Sequence, residues 1–284
     1  MSSSTGILLP QTLERYHAAH QDLAGHLVRR KAALAALRPS LVVASASYSA
    51  IAAAADLGVP AVTVGPFLWH DIVQAYAPGA DTLLSEMAEL YQRATGFVLT
   101  TPFVAPTVAG PARHVVGPVG LVGQCRRADL LKTGVIRQGE RIVFASLGGV
   151  GEDVPYSGWR CPAGWRLLTQ EDARRHGLRI GDLIASSAAV VTKPGYGTYV
   201  EAAHAGASLI SRARPDWPES AGLLGWYRQQ GLPVYEVSEE SFAGFGPLSV
   251  LSNSPDIGDA GTSAGQRFTP GAEQCADLLI GQYL

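Results

Sequence analysis

The chain has 284 residues, enough for one large domain or two ordinary ones, and 47% of them are hydrophobic against 16% charged. That balance supports a real core, and a formal net charge of −2 gives no electrostatic footprint for DNA or RNA. No basic segment followed by an apolar run opens the sequence, and no uncharged apolar stretch reaches the roughly 20 residues that span a bilayer. Cys125, Cys161 and Cys275 are far apart and lack C-x-x-C spacing, which argues against a disulfide framework or a zinc site and fits a reducing cytoplasm.

Residues 11–38 carry Leu13, Tyr16, Leu23, Leu27, Leu34 and Leu37 at helical spacing, and Pro39 stops the helix. "LVVAS" (41–45) reads as a short strand, with Ser45 and Ser47 after it as helix caps. "SAIAAAADLG" (49–58) reads as a helix closed by Gly58, and "PAVTVGP" (60–66) as the next strand. "DTLLSEMAELYQRAT" (81–95) predicts a helix with Asp81 as N-cap, and "GFVLTT" (96–101) a third strand, followed by a Pro-rich connector. The stretch 119–140 is charged, Gly-containing and loosely patterned, and the expected domains are 1–125 and 126–284.

The second half repeats the rhythm. "ERIVFASLGG" (140–149) is a strand running into glycines, "WRLLTQ" (165–170) a strand and "EDARRHGL" (171–178) a short helix. "LIASSAAVVTK" (183–193) holds a turn and then a strand. "TYVEAAHAG" (198–206) is a helix, "ASLISRA" (207–213) a strand, "SAGLLGWYRQQG" (220–231) a helix and "LPVYEV" (232–237) a strand. "AEQCADLLIGQYL" (272–284) is the last helix. Alternating helices and buried-type strands predict parallel sheets covered on both faces: two doubly wound halves, with a cleft between them as the default ligand site.

Two strand ends stand out. One is Ser146-Leu147-Gly148-Gly149; the other is "VVTKPGYGTYVEAAHAG" (190–206). A helix opening after Gly195 and Gly197 turns unpaired N–H groups toward the strand ends, and Lys193 adds a positive charge. Glu201, one turn further on, is placed to accept hydrogen bonds from a ribose diol. The pattern alone leaves two readings open, a bound phosphate or an unoccupied strand-to-helix turn. A dinucleotide fingerprint requires a third glycine where Val200 stands, and the Gly-Lys-Ser/Thr of a P-loop is absent.

"VVTKPGYGTYVEAAHAGASLISRARPDWPE" (190–219) resembles the donor-binding segment of the two-Rossmann-domain (GT-B) nucleotide-sugar glycosyltransferases. It is most similar to the branch with a "KPGYG…E…G" signature, as in the glycosyltransferase-like half of plant arabinokinases. More distantly it is similar to the "HxGxxSxxE…G…P…D" segment of plant and antibiotic UDP-sugar transferases. The resemblance implies that Lys193, Gly195, Tyr196, Gly197 and Thr198 hold the diphosphate, with Ser146, Gly148 and Gly149 on the neighbouring loop. It implies further that Glu201 holds the ribose and that Asp216 and Glu219 reach the sugar. "LVVASASYSAIAAAADLGVPAVTVGPFLWHDI" (41–72) resembles the late part of the acceptor domain, whose usual opening strand and glycine loop have no counterpart here.

The expected fold is therefore α/β with two Rossmann-like domains, the N-terminal one incomplete. The expected function is transfer of a sugar from a nucleoside diphosphate sugar, a UDP-sugar, to an unidentified acceptor. His70 and Asp71, in "FLWHDI", are the candidates for the base, and Trp69 a candidate for lining the acceptor pocket. No metal or cofactor is expected beyond the nucleotide sugar as co-substrate. A nucleotide-sugar hydrolase or epimerase, and a non-catalytic nucleotide-sugar-binding relative, stand as alternatives. An incomplete first sheet would expose an edge, which suggests a homodimer or a partner subunit.

Overall fold

The computed structural model describes residues 8–147, 156–243, 246–258, 268 and 270–284. The chain forms two compact units, one of residues 1–119 with 270–284, the other of residues 120–269.

The first unit opens with α1 (Leu9–Gln21) and α2 (Leu23–Leu37), where one continuous helix was expected; Asp22 interrupts it, and Arg38, in the left-handed region, ends it before Pro39. Then follow β1 (Val42–Ala44), α3 (Tyr48–Asp56), β2 (Ala61–Gly65), α4 (Trp69–Tyr76), α5 (Asp81–Gln92), β3 (Gly96–Thr100) and β4 (Ala112–Val116). All four strands are parallel and lie in chain order, β1-β2-β3-β4. A doubly wound sheet reverses its strand order at its middle. The described strands of this one do not, so they correspond to one wing of such a sheet. At its β1 end Val43 is 51% exposed, whereas Val62 and Val98 further along the sheet are fully buried.

Apolar side chains fill both faces. Val42, Ala44, Ile51, Ala54, Tyr91, Phe97 and Leu99 pack on one side. On the other, Val62, Val98 and Val116 meet Cys275, Leu278, Leu279 and Tyr283. The latter four belong to the C-terminal helix (Gly271–Tyr283), which returns to this unit. Its entry is tight: a Cβ at Gly271 would overlap the carbonyl of Gly117. Three local expectations are corrected. Ala80, not Asp81, is the N-cap of α5, and Asp81 stands in the first turn, where a carboxylate still suits the helix dipole. Ser47 holds the N-cap position of α3 without a side-chain cap bond, and Ser45 lies outside that position. The Pro-rich connector contains β4, an edge strand.

Fully buried Tyr91 ties the strand ends of this unit together. The Trp69 N–H donates to its hydroxyl (3.1 Å), which in turn donates to the Ala46 carbonyl (2.6 Å). Ala46 sits at φ +59°, an unfavourable backbone region for alanine that this bond helps to hold. Tyr91→Phe leaves both backbone groups without that partner. The expected loss is about 2 kcal/mol of stability, read from the urea unfolding midpoint.

The second unit carries α6 (Arg127–Lys132), β5 (Arg141–Ser146), a 3₁₀ turn (Tyr156–Gly158), β6 (Trp165–Leu168), α7 (Gln170–Arg175) and α8 (Ile180–Ala185). It continues with β7 (Ala189–Thr192), α9 (Tyr196–Ala205), β8 (Ser208–Arg212), α10 (Ser220–Gln229), β9 (Val234–Val237), α11 (Glu239–Ala243) and a 3₁₀ turn (Pro247–Ser252); the C-terminal helix Gly271–Tyr283 is α12. All five strands are parallel, in the order β6-β5-β7-β8-β9. β5, β7 and β8 are buried along nearly their whole length, as strands covered on both faces are, whereas the edge strands β6 and β9 are only partly buried. The loosely patterned stretch 119–140 is better ordered than expected. Gln124 N–H donates to Asp182, Arg126 N–H donates to Ser186, and Gly123 lies so close to Gly181 that a Cβ would overlap its carbonyl. Asp182 is held below the usual carboxylate range by hydrogen bonds from Arg179.

Candidate functional site

From β5 the chain moves to β6 on one side, then crosses back to β7 on the other. Beyond the carboxyl ends of β5 and β7 the strand order therefore reverses. In open α/β sheets this is where a crevice forms and ligands bind. Ser146 and Thr192 end the two strands in register, and the Thr192 hydroxyl donates to the Ser146 carbonyl (2.8 Å), closing the sheet beneath the crevice. The candidate donor residues leave from these two ends. Leu147 follows β5; Gly148 and Gly149 lie outside the described residues.

Lys193 and Pro194 follow β7, and Gly195 is the N-cap of α9, which begins at Tyr196, slightly earlier than expected. Its N-cap is a glycine, which has no side chain to cap the helix, and the first turn of α9 opens at the strand ends. Gly195 has φ −171°, extended backbone open to any residue. Gly197 is exposed and is absent from the positive-φ glycines. A Cβ there would meet no described residue within 4 Å, and one at Gly195 would meet only the Lys193 carbonyl at 3.9 Å. Neither backbone conformation nor packing among the described residues requires glycine at these two positions.

Glu201 lies half-buried on α9. Burial pushes its carboxyl up, partly offset by the hydrogen bond it accepts from the Leu121 N–H. That bond takes one of several acceptor positions on a carboxylate and orients the side chain. Gly120 lies beside it: a Cβ there would press on Val200 and come into ordinary contact with the Glu201 stem. His204, on the same helix, packs edge-on against Phe268, and burial lowers its pKa.

The end of β8 brings the two candidate acids to one turn but in different environments. Asp216 is exposed, whereas Glu219 is 6% exposed, at the N-cap of α10. Burial pushes the Glu219 carboxyl up to about 7 although the Trp217 indole N–H donates to it (3.0 Å). Arg214, in the same turn, is a buried guanidinium that no sequence motif marks.

In the first unit, His70 and Asp71 open α4 and are both buried. His70 Nδ1 stands 3.4 Å from Asp71 Oδ1, which accepts both the Thr107 N–H (2.9 Å) and the Thr107 hydroxyl (2.6 Å). Burial pushes the Asp71 carboxyl up, but the hydrogen bonds from His70 and Thr107 outweigh it and hold it below its usual value. Asp71 Oδ2 is buried without a hydrogen-bond partner among the described residues. Trp69 is 37% exposed and packs edge-on against Phe67. Thr107 carries no sequence signal; it lies in the Pro-rich connector and acts only through contact.

Among the described residues no cluster of His, Cys, Asp and Glu could hold a metal ion, and no helix is long and apolar enough to cross a membrane. The string Gly261-Thr262-Ser263-Ala264-Gly265 spells a G-x-S-x-G pattern in a polar stretch of sequence and lies outside the described residues.

No family model matches the chain, and no curated protein matches it. Solved structures do match it, across nearly its whole length. The glycosyltransferase of kitacinnamycin is similar with a TM-score of 0.63 at 14% identity, over 96% of this chain and 83% of that one. CalG4, the calicheamicin glycosyltransferase, is similar with a TM-score of 0.61 at 15% identity, over 96% and 80%. Phytolacca americana UGT2, complexed with UDP-2fluoro-glucose and pterostilbene, reaches 0.50 at 14% identity, over 86% and 73%. The fold is thus the two-Rossmann-unit, GT-B fold of glycosyltransferases. At these identities the likeness speaks for the fold alone.

Proposed function

We propose that this chain is a glycosyltransferase of the KPGYG-type branch that binds a nucleoside diphosphate sugar, a UDP-sugar, at the crevice between β5 and β7. One observation carries the reading. The switch point of the second sheet coincides with the N-terminus of a helix whose N-cap is a glycine, preceded by a lysine and flanked by glycines that packing among the described residues does not require. A helix N-terminus favours a phosphate through its free N–H groups and its dipole. Lys193, Gly195, Tyr196, Gly197 and Thr198 take the diphosphate, together with the loop of Ser146, Gly148 and Gly149. Glu201 takes the ribose with the acceptor positions that Leu121 leaves open. Asp216 and Glu219 take the sugar. His70, set against Asp71, takes the acceptor's proton; the acceptor is a small molecule. The reading calls on no metal or cofactor, and it belongs with a cytoplasmic setting. The sheet of the first unit, with no reversal among its described strands, favours a second reading: a relative that binds the nucleotide sugar without transferring it.

The test is thermal unfolding with UDP, TDP, GDP and ADP. UDP at about ten times its Kd is expected to add about 1.4 kcal/mol of stability; no stabilisation by any of the four overturns the reading. Glu201→Ala is expected to weaken UDP binding about tenfold, the worth of one good hydrogen bond to a charged group. Binding of inorganic pyrophosphate should change less than about twofold by the same scale. Equal losses remove the ribose role. Release of UDP from a UDP-sugar only when an acceptor is supplied separates transfer from binding alone.

A further inference from the structure

Arg214 is 7% exposed, and its Nε and Nη2 have no hydrogen-bond partner among the described residues. Asp216 Oδ2 lies 3.5 Å from Nη2 without hydrogen-bond geometry, and that carboxylate is itself about half exposed. The guanidinium also stands 5.5 Å from the Trp217 ring centre. Arg212, two residues earlier and equally buried, differs: its Nη2 donates to Glu239. A buried guanidinium is always charged and offers five donors, so leaving the three on Nε and Nη2 unmet is costly unless an anion completes the set.

Its place in the fold says which anion. Thr192 and Ser211 are register partners on the adjacent strands β7 and β8. Arg214 lies three residues beyond Ser211, and the turn at Lys193 to Gly197 starts one residue beyond Thr192. Both therefore leave the same edge of the sheet from strands about 4.8 Å apart. Arg214 shares its turn with Asp216 and Glu219; the Ser220 hydroxyl and the Trp217 N–H both donate to its carbonyl. These are the acids set on the sugar in the function proposed above, on which this inference rests. The diphosphate already has the α9 N-terminus and Lys193.

We infer that Arg214 binds a carboxylate on the donor's sugar, so that the preferred donor is a nucleotide-linked uronic acid rather than a neutral hexose. The planar guanidinium fork matches a carboxylate through two parallel hydrogen bonds, which an ammonium cannot reproduce.

The experiment compares Kd values for UDP, UDP-glucose and UDP-glucuronate by titration calorimetry on the wild type, Arg214→Gln and Arg214→Lys. In the wild type the uronate is expected to bind at least about tenfold tighter than the glucose donor, a charge-assisted bidentate pair being worth that much or more. The ratio should fall to about one in Arg214→Gln and to an intermediate value in Arg214→Lys. A wild-type ratio near one overturns the inference while UDP binding upholds the donor site. A ratio unchanged in both variants, with all three ligands weakened alike, also overturns it and moves Arg214 to the diphosphate. Failure of all three ligands to bind overturns the donor site and this inference with it. Should Arg214→Gln not fold, the wild-type ratio and the lysine variant decide.

Discussion

Gly197→Ala is expected to leave the fold at least as stable and to weaken UDP binding by about a hundredfold. The two halves of this expectation come from different physics. Gly197 is the second residue of α9, its backbone lies outside the positive-φ set, and an added Cβ meets no described residue within 4 Å. Alanine is the better helix former by up to about 1 kcal/mol, so the unfolding midpoint should hold or rise. The added methyl enters the space beside the helix N–H groups, where the proposed diphosphate lies. Displacing it from one or two charge-assisted hydrogen bonds costs about 3 kcal/mol, or roughly a hundredfold in Kd. Urea unfolding and UDP titration on the same preparation check both halves. An alanine variant that binds UDP as tightly as the wild type would show that the open space at Gly197 is not where the phosphates sit.

The same residues show what the sequence could and could not reveal. The glycines at 195 and 197 were legible because their message is local: a strand, a turn and a helix in consecutive residues. Buried strands such as β5, β7 and β8 were legible as apolar runs. β4 was not, because Ala112, Arg113 and Val115 are exposed on an edge strand and only Val116 is buried. α8 was read as a turn: six residues with Gly181 inside carry too little periodicity to declare a helix. α4 was missed because its eight residues follow closely on a strand. The coincidence of the KPGYG turn with the sheet's switch point was out of reach, since strand order depends on pairings between distant segments. The Thr192–Ser146 bond, the grip of Thr107 on Asp71 and the unmet donors of Arg214 belong to the same class. Each joins or isolates groups in space, and composition or spacing leaves no trace of it.

Asp216 and Glu219 make the point most sharply, because they read alike in sequence and the fold separates them. One is exposed and the other buried with a carboxyl pushed up to about 7. In the unfolded chain that carboxyl titrates near 4.5, so the folded protein holds a proton that the unfolded chain has released between those values. Stability is therefore expected to be highest below about pH 4.5 as far as this group is concerned, to fall as pH rises through about 7, and to stay lower above it. The full difference is about 3 kcal/mol. Glu219→Gln removes the titration and can still accept the Trp217 indole N–H, so the variant should gain stability at pH 8 by about that amount and lose this pH slope. Urea unfolding at intervals between about pH 5 and 8 measures it, and parallel curves for the two proteins would refute the assignment. A carboxylate kept at such cost fits the proposed place of Glu219 on the donor sugar. If Glu219 accepts hydroxyls of the donor sugar, the same substitution weakens UDP-glucose more than UDP. In the wild type the advantage of UDP-glucose over UDP then grows as Glu219 ionises, in the pH window where stability declines.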